Sequence, residues 1–312
     1  MGEPRSLIVD CDPGVDDAIA LMLALRSPRE LRVLGITTVA GNVGPALTAR
    51  NARWIREFVG CAHVPVHAGA ERPLLRPAID AGHVHGDSGL GPLPVTEPLA
   101  PLAAGHAANF IVDTLRREPA GSVTLAVTGP MTNVALALRL DPGIAGRVRE
   151  IVVMGGARSI GGNITASAEY NIYADPHAAR IVCESGVPLV AIGLDATHQV
   201  RATAARIAAV RALGTPLALA AADLMQHAGS LPFYGLPLPG APMHDPCTIA
   251  WLLRPELFEL APVYLCVETD SPLTLGATAV EFRLEPGRPT ATRWATRVDG
   301  DGVFALIMER LR

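Results

Sequence analysis

A short apolar run, Leu7-Ile8-Val9, leads straight into Asp10-Cys11-Asp12-Pro13-Gly14-Val15-Asp16-Asp17-Ala18, which puts four aspartates within eight positions. The pattern is that of a buried strand, a tight Pro-Gly turn and a helix start. Capping of orphan N–H groups and the helix dipole account for Asp16 or Asp17. They do not account for Asp10 and Asp12, which lie on the strand side of the turn. Carboxylates crowded in this way repel one another unless a cation or a polar ligand offsets them. In open α/β sheets the carboxyl ends of strands are where ligands bind. The segment therefore predicts a metal site at a sheet edge, suited to a hard cation such as Ca²⁺ or Mg²⁺.

The remainder of the chain supplies the sheet. Strand-like runs at Leu31–Val39, Val64–His67, Val123–Val127, Ile151–Met154 and Val187–Ile192 alternate with helical patterns over Ala18–Leu25, Pro45–Val59, His106–Arg117, Met131–Leu140 and Asp175–Glu184. This order predicts an α/β fold with a mostly parallel, Rossmann-like sheet flanked by helices and an active site at the strands' carboxyl ends. The C-terminal third is less regular. Residues 203–230 are Ala-rich and read as helix, 231–246 as loop and Ile249–Leu253 as helix. Strands are expected at Val263–Glu268, Ala279–Leu284 and Ala291–Val298, and a closing helix at Val303–Glu309. Residues 68–100 are rich in Gly, Pro and His, and a loop of that length is usually functional or mobile. No repeat or linker divides the chain, so one domain over 1–312 is expected.

Composition excludes several classes. Of 312 residues 49% are apolar and 18% charged, a globular balance. The net charge of -4 offers no basic surface for nucleic acid. All 26 basic residues are Arg, which removes any mechanism needing a lysine amine. The five cysteines, Cys11, Cys61, Cys183, Cys247 and Cys266, are odd in number and scattered, which suits a reduced, cytoplasmic setting. Cys11 sits among carboxylates that disfavour a thiolate, so it reads as a small core residue and not a nucleophile. There is no signal-peptide pattern and no membrane-spanning run.

Polar or glycine-rich turns follow several strands: Thr38-Val39-Ala40-Gly41-Asn42, Val127-Thr128-Gly129-Pro130-Met131-Thr132-Asn133, and Met154-Gly155-Gly156 with a loop through Asn163, Glu169 and Asn171. Met243-His244-Asp245-Pro246 precedes a later helix. In a parallel sheet most of these turns share one edge and surround the acidic turn. Oxygen donors dominate, with no zinc-type His/Cys cluster. Individually, Asn42 also suits a turn, Asn133 is expected to cap its helix, Asp245 before Pro246 suits an N-cap, and His85 and His244 suit buried structural roles.

Asp10-Cys11-Asp12-Pro13-Gly14-Val15-Asp16-Asp17 resembles the signature of the inosine-uridine-type nucleoside hydrolases. Ala40-Gly41-Asn42, Thr128 through Asn133, Gly162-Asn163-Ile164-Thr165 through Ala168-Glu169-Tyr170-Asn171, and His244-Asp245-Pro246 follow in the family's order. The resemblance implies a single α/β domain, a tightly bound Ca²⁺, a homodimer or homotetramer, and hydrolysis of ribonucleosides to ribose and free base. Carried over by position, Asp12, Asp17, Asp245 and the Thr128 carbonyl hold calcium, and Asp12 is the general base on a calcium-bound water. Asp16, Asn42, Asn163, Glu169, Tyr170 and Asn171 bind substrate, chiefly its ribose hydroxyls. Asp10 supports the acidic turn from behind, His244 lies near the leaving base, and His85 matches a histidine in the covering loop.

The segment from Gln226 to Pro242 should carry base-contacting groups, with His227 and Tyr234 as candidates, and it leaves base preference open. Two other readings compete with hydrolysis of nucleosides. A haloacid-dehalogenase-type phosphatase also places Asp-x-Asp after a strand, but here Pro13-Gly14 follows and lysine is absent. A calcium-dependent nucleoside or ribose binder without catalysis would keep the same residues and release no ribose.

Overall fold

The computed structural model describes residues 3–230 and 239–312. In chain order the elements are β1 (Arg5–Cys11), α1 (Val15–Leu25), β2 (Leu31–Thr38), α2 (Pro45–Phe58), β3 (Val66–Ala68), the single turn α3 (Gly82–His85), α4 (Ala107–Arg117), β4 (Val123–Val127), α5 (Thr132–Leu140), β5 (Val148–Met154), α6 (Tyr170–Ala174), α7 (Pro176–Cys183) and β6 (Leu189–Ile192). There follow α8 (Leu194–Thr197), β7 (Arg201–Ala202), α9 (Ala204–Arg211), α10 (Pro216–Gly229), β8 (Ala241–Pro242), α11 (Pro246–Leu253), β9 (Phe258–Pro262), β10 (Tyr264–Val267), β11 (Thr278–Glu281), β12 (Thr292–Val298) and α12 (Gly300–Arg310).

Among the described residues eight strands form the central sheet in the order β3-β2-β1-β4-β5-β6-β12-β9. All neighbours pair in parallel except β9, which runs antiparallel on the edge. The chain winds outward from β1 to β3, returns to β4 and winds the other way, so the switch point lies between β1 and β4, where an open α/β sheet forms its ligand crevice. Register aligns the strand ends there. Cys11 pairs with Thr38, and Asp10 pairs with both Thr37 and Val127. The residues that follow each strand, Asp12, Val39 and Thr128, therefore emerge side by side.

Strand alternation divides the interior into two cores. Leu7, Val9, Ala126 and Val152 face the layer that includes α1, α10, α11 and α12. Ile8, Leu125, Val127, Ile151 and Val153 face the layer built on α4, α5 and α7. Both faces are buried, which is why these strands are apolar without polar alternation. Among the described residues no helix is long and apolar enough to cross a membrane.

Several sequence expectations need correction. The helical stretch 203–230 is two helices, broken where Gly214 adopts φ +70° and Thr215 caps α10 by accepting from the Ala218 amide. Residues 258–262, not expected as a strand, form the antiparallel edge. Strands expected at 263–268 and 279–284 shorten to β10 and β11 and form a separate two-stranded ribbon. The loop through Asn163 and Asn171 contains α6, and the long 68–100 segment contains α3. Of the loop expected at 231–246, residues 231–238 lie outside the described residues.

Asn133 does not cap α5. Its amide donates to Asp10 Oδ1 at 2.8 Å and to the Thr38 carbonyl at 2.9 Å, and its oxygen accepts from the Ala70 amide at 2.8 Å. It ties the ends of β1, β2 and β3 to α5, and no local pattern announces that role. Asn133→Ala removes all of these bonds and leaves buried groups unpaired, at a cost of about 3 kcal/mol. Thermal unfolding should register a clear drop in Tm; an unchanged Tm would contradict this bracing role.

Candidate active site

The carboxyl edge of the sheet opens into a cavity of about 460 Å³. Asp16, Asn42, His85, Thr128, Asn163, Glu169, Tyr170, Asn171, His244 and Asp245 line it, together with apolar groups from Val15, Val84, Met154, Ile164 and Met243. Asp10, Asp12 and Asp17 are buried to 1%, 0% and 0% exposure and do not line it.

The acidic turn is held by backbone and amide donors. The Gly14 amide donates to Asp17 Oδ2 at 3.0 Å, half of a capping interaction at the start of α1. Thr128 Oγ1 donates to Asp17 Oδ1 at 2.7 Å. The Asn42 amide N–H donates to Asp12 Oδ2 at 2.7 Å, while its side chain donates to the Asp12 carbonyl at 3.1 Å and to Asp17 Oδ2 at 3.0 Å. Asn42 is thus a brace for the carboxylates as well as a lining residue. Asp10 stays behind the site, accepting from Thr37 Oγ1 at 2.6 Å and from Asn133.

A cation suits this arrangement. Carboxylate oxygens of Asp16, Asp17 and Asp245 lie within 4.8 Å of one another. Asp12, expected as a ligand, is not in that group, and Asp16, expected on the ribose side, is. Asp12 Oδ1 is buried without a hydrogen-bond partner. Among the described residues no arginine pairs with any of these acids. Burial, then repulsion from neighbouring carboxylates, holds Asp12 and Asp245 well above the usual carboxylate range and Asp17 at about 6. A divalent ion removes that penalty, and the donors are all hard oxygens. Asp245 precedes α11 but makes no side-chain capping bond, so its N-cap alternative is not realised.

Around the cavity wall Glu169 caps α6. It accepts from the amides of Asn171 at 2.9 Å, Ile172 at 3.1 Å and Gly156 at 3.1 Å, and burial raises it to about 7. The Asn171 side chain donates to the Thr128 carbonyl at 2.7 Å and to the Met154 carbonyl at 3.2 Å. Asn163 Oδ1 accepts from the Tyr170 amide at 2.7 Å, and the Tyr170 hydroxyl donates to the Gly41 carbonyl at 2.8 Å. The loop is therefore tied into the β1, β2 and β4 turns.

On another wall His85 Nδ1 accepts from the Val15 amide at 3.0 Å, and burial lowers its pKa to about 4. The neutral ring then carries its proton on Nε2. The His244 amide N–H approaches Asp16 Oδ2 at 3.3 Å, and His244 Nδ1 lies 2.8 Å from Thr197 Oγ1. Thr197 and the cavity-lining His83 were not expected from sequence. The available signal for Thr197 was its place just past the carboxyl end of a parallel strand. His227 packs against Gly91 and does not line the cavity. Tyr234 lies outside the described residues.

A polar pocket bordered by carboxylates at the switch point of an α/β sheet is the architecture of a small-molecule site. Comparison with known proteins is specific. Residues 7–305 match the family model described as inosine-uridine preferring nucleoside hydrolase. The chain is 45% identical to the pyrimidine-specific ribonucleoside hydrolase RihA of Salmonella gallinarum, over 98% of each chain. A solved purine-preferring ribonucleoside hydrolase from Gardnerella vaginalis superposes with a TM-score of 0.92 at 32% identity, covering 98% of both chains. A plant nucleoside hydrolase superposes with a TM-score of 0.90 at 30% identity, over 99% of both. The chain belongs to the inosine-uridine preferring nucleoside hydrolase family and is a nucleoside hydrolase.

Asp12 is wedged between two glycines. A Cβ on Gly129 would fall 2.6 Å from Asp12 Oδ1, and one on Gly41 2.0 Å from Oδ2. Gly129→Ala should displace the carboxylate and cost about a hundredfold or more in kcat while the protein still folds. Steady-state assays beside circular dichroism check this; near-normal turnover would show that Asp12's position is not critical.

Proposed function

We propose that this enzyme hydrolyses the N-glycosidic bond of ribonucleosides to ribose and free base in a Ca²⁺-dependent reaction. The observation that carries the reading is the convergence of Asp16, Asp17 and Asp245 beside the pocket, where no arginine among the described residues pairs with them. Asp12, Asp17, Asp245 and the Thr128 carbonyl would hold the ion, with Asp16 close enough to share in it. Bound calcium would orient the attacking water and the ribose hydroxyls and lower the water's pKa.

Cleavage builds positive charge on the ribose ring in an oxocarbenium-like transition state. Carboxylates of Asp16 and Glu169 stabilise that charge in a water-poor site. Asp12 accepts the proton of the attacking water, and its unpartnered Oδ1 is the lone pair available for it. Asn163, Asn171 and Asp16 fix the sugar through its hydroxyls, with Tyr170 and Asn42 keeping that wall in place. His244 donates a hydrogen bond to the departing base, and His85 covers the site. The apolar groups of Val84, Ile164 and Met243 receive the base. The similar proteins include a pyrimidine-specific and a purine-preferring enzyme, so a panel of both nucleoside classes decides preference. The resemblance also supports a homodimer or homotetramer, which light scattering tests, and five free cysteines suit a cytoplasmic setting.

The decisive test is metal removal. Asp17→Ala should lose bound calcium and release of reducing sugar together, and chelation of the wild type should abolish turnover that added Ca²⁺ restores. Stoichiometric calcium in the variant by metal analysis, or full activity in the chelated enzyme, would refute the assignment. Steady-state ribose release also separates an enzyme from a binder.

A second outcome concerns the sugar. A site built to bond a hydroxyl rejects the analogue lacking it, because its buried polar groups go unpaired. 2′-Deoxynucleosides should be poorer substrates by on the order of a thousandfold in kcat/KM. Equal kcat/KM values for a ribonucleoside and its 2′-deoxy form would contradict the proposed grip on the ribose.

A further inference from the structure

Thr197 is fully buried at the end of α8, outside every motif that the sequence singles out. Its hydroxyl lies 2.8 Å from Nδ1 of His244, a residue that lines the cavity. Both partners are anchored through the backbone. Thr197 N–H donates to the Gly193 carbonyl at 3.1 Å and Leu194 N–H to the Gly156 carbonyl at 2.8 Å, so α8 is pinned to the turns after β5 and β6. Gly193 lets this happen: a Cβ there would fall 2.4 Å from the Trp294 ring. One stitch then joins the two segments. Val200 N–H donates to the Thr197 carbonyl, and the Val200 carbonyl accepts from Met243 N–H, the residue before His244. His198 adds a ring at 5.7 Å, tilted 54° to that of His244.

We infer that the Thr197 hydroxyl is the positioning group for His244, fixing the plane of its ring and donating to Nδ1 so that the neutral ring carries its proton on Nε2. In a neutral imidazole one nitrogen donates and the other accepts, and the bond made by one sets the role of its mate. With the hydroxyl donating to Nδ1, as inferred, the nitrogen on the opposite edge of the ring is the donor. That is the tautomer a leaving base needs, since a purine or pyrimidine departs poorly as an anion. The inference rests on the proposed role of His244 at the base; Thr197 itself touches no substrate.

The test uses Thr197→Val, close in shape but lacking the hydroxyl, Thr197→Ser, which restores it, and His244→Ala as the reference. Each is assayed on inosine and uridine and on a nitrophenyl riboside, whose leaving group needs no proton. His244→Ala should lower kcat on the natural nucleosides by about a hundredfold or more and leave the nitrophenyl substrate far less affected. Thr197→Val should show the same asymmetry at about tenfold or more, with KM little changed, and Thr197→Ser should recover to within about threefold of wild type. Nitrogen-15 shifts of the His244 ring should report the Nε2–H tautomer in the wild type and in Thr197→Ser, and its loss in Thr197→Val. Thermal unfolding and calcium content identify a variant damaged elsewhere.

Parallel loss on both kinds of substrate in Thr197→Val, a change confined to KM, or an unchanged tautomer would overturn the positioning role. Equal loss on both kinds of substrate in His244→Ala would instead overturn the leaving-base role of His244. The nitrogen shifts alone would then decide whether Thr197 sets its tautomer.

Discussion

Buried carboxylates at the switch point of a parallel sheet dominate this structure. Asp12 and Asp17 are fully enclosed, Asp16 and Asp245 border the cavity, and no arginine among the described residues pairs with them. Isolated charges in such a place are costly, and proteins ordinarily pair them or neutralise them. Here amide and hydroxyl donors from Asn42, Gly14 and Thr128 offset part of the cost. The remainder is electrostatic tension that a hard cation would relieve. The proposed chemistry grows from that tension: Asp16 and Asp245, which would share the ion, also line the cavity.

The surrounding fold serves to make this crowding repeatable. Parallel register brings the ends of β1, β2 and β4 level. Asn133 cross-links them from below, and the Glu169-capped turn of α6 closes the wall from the side. Gly41 and Gly129 leave room for the Asp12 carboxylate and no more. The two ends of the cavity differ in character. The end proposed to take the sugar is polar, lined by Asp16, Asn163, Glu169 and Asn171. The end proposed to take the base combines His85 and His244 with apolar side chains.

Much was legible in the sequence. The acidic turn, the alternation of apolar strands with amphipathic helices and the polar ends of several strands mark the fold class and the edge where the cavity opens, because each is a local pattern. Asp16, Asn42, Thr128, Asn163, Glu169 and Asn171 reach the cavity from segments that follow parallel strands, and His244 and Asp245 from the segment after β8, outside the central sheet. What the sequence alone could not decide depends on contacts between distant segments. Asn133 looks like a helix cap in its own turn, and only the packing of β3 against β2 makes it a brace. Thr197 looks like an ordinary helix residue until Met243 is stitched to Val200. The three carboxylates that converge, with Asp16 in the group and Asp12 outside it, depend on how a helix start meets a loop more than 200 residues away, as the 228-residue separation of the Asp16–His244 contact shows. Local propensity and periodicity specify elements and which of their ends are polar. Hydrogen-bond partners and distances between charges are set by tertiary packing, which no single segment encodes.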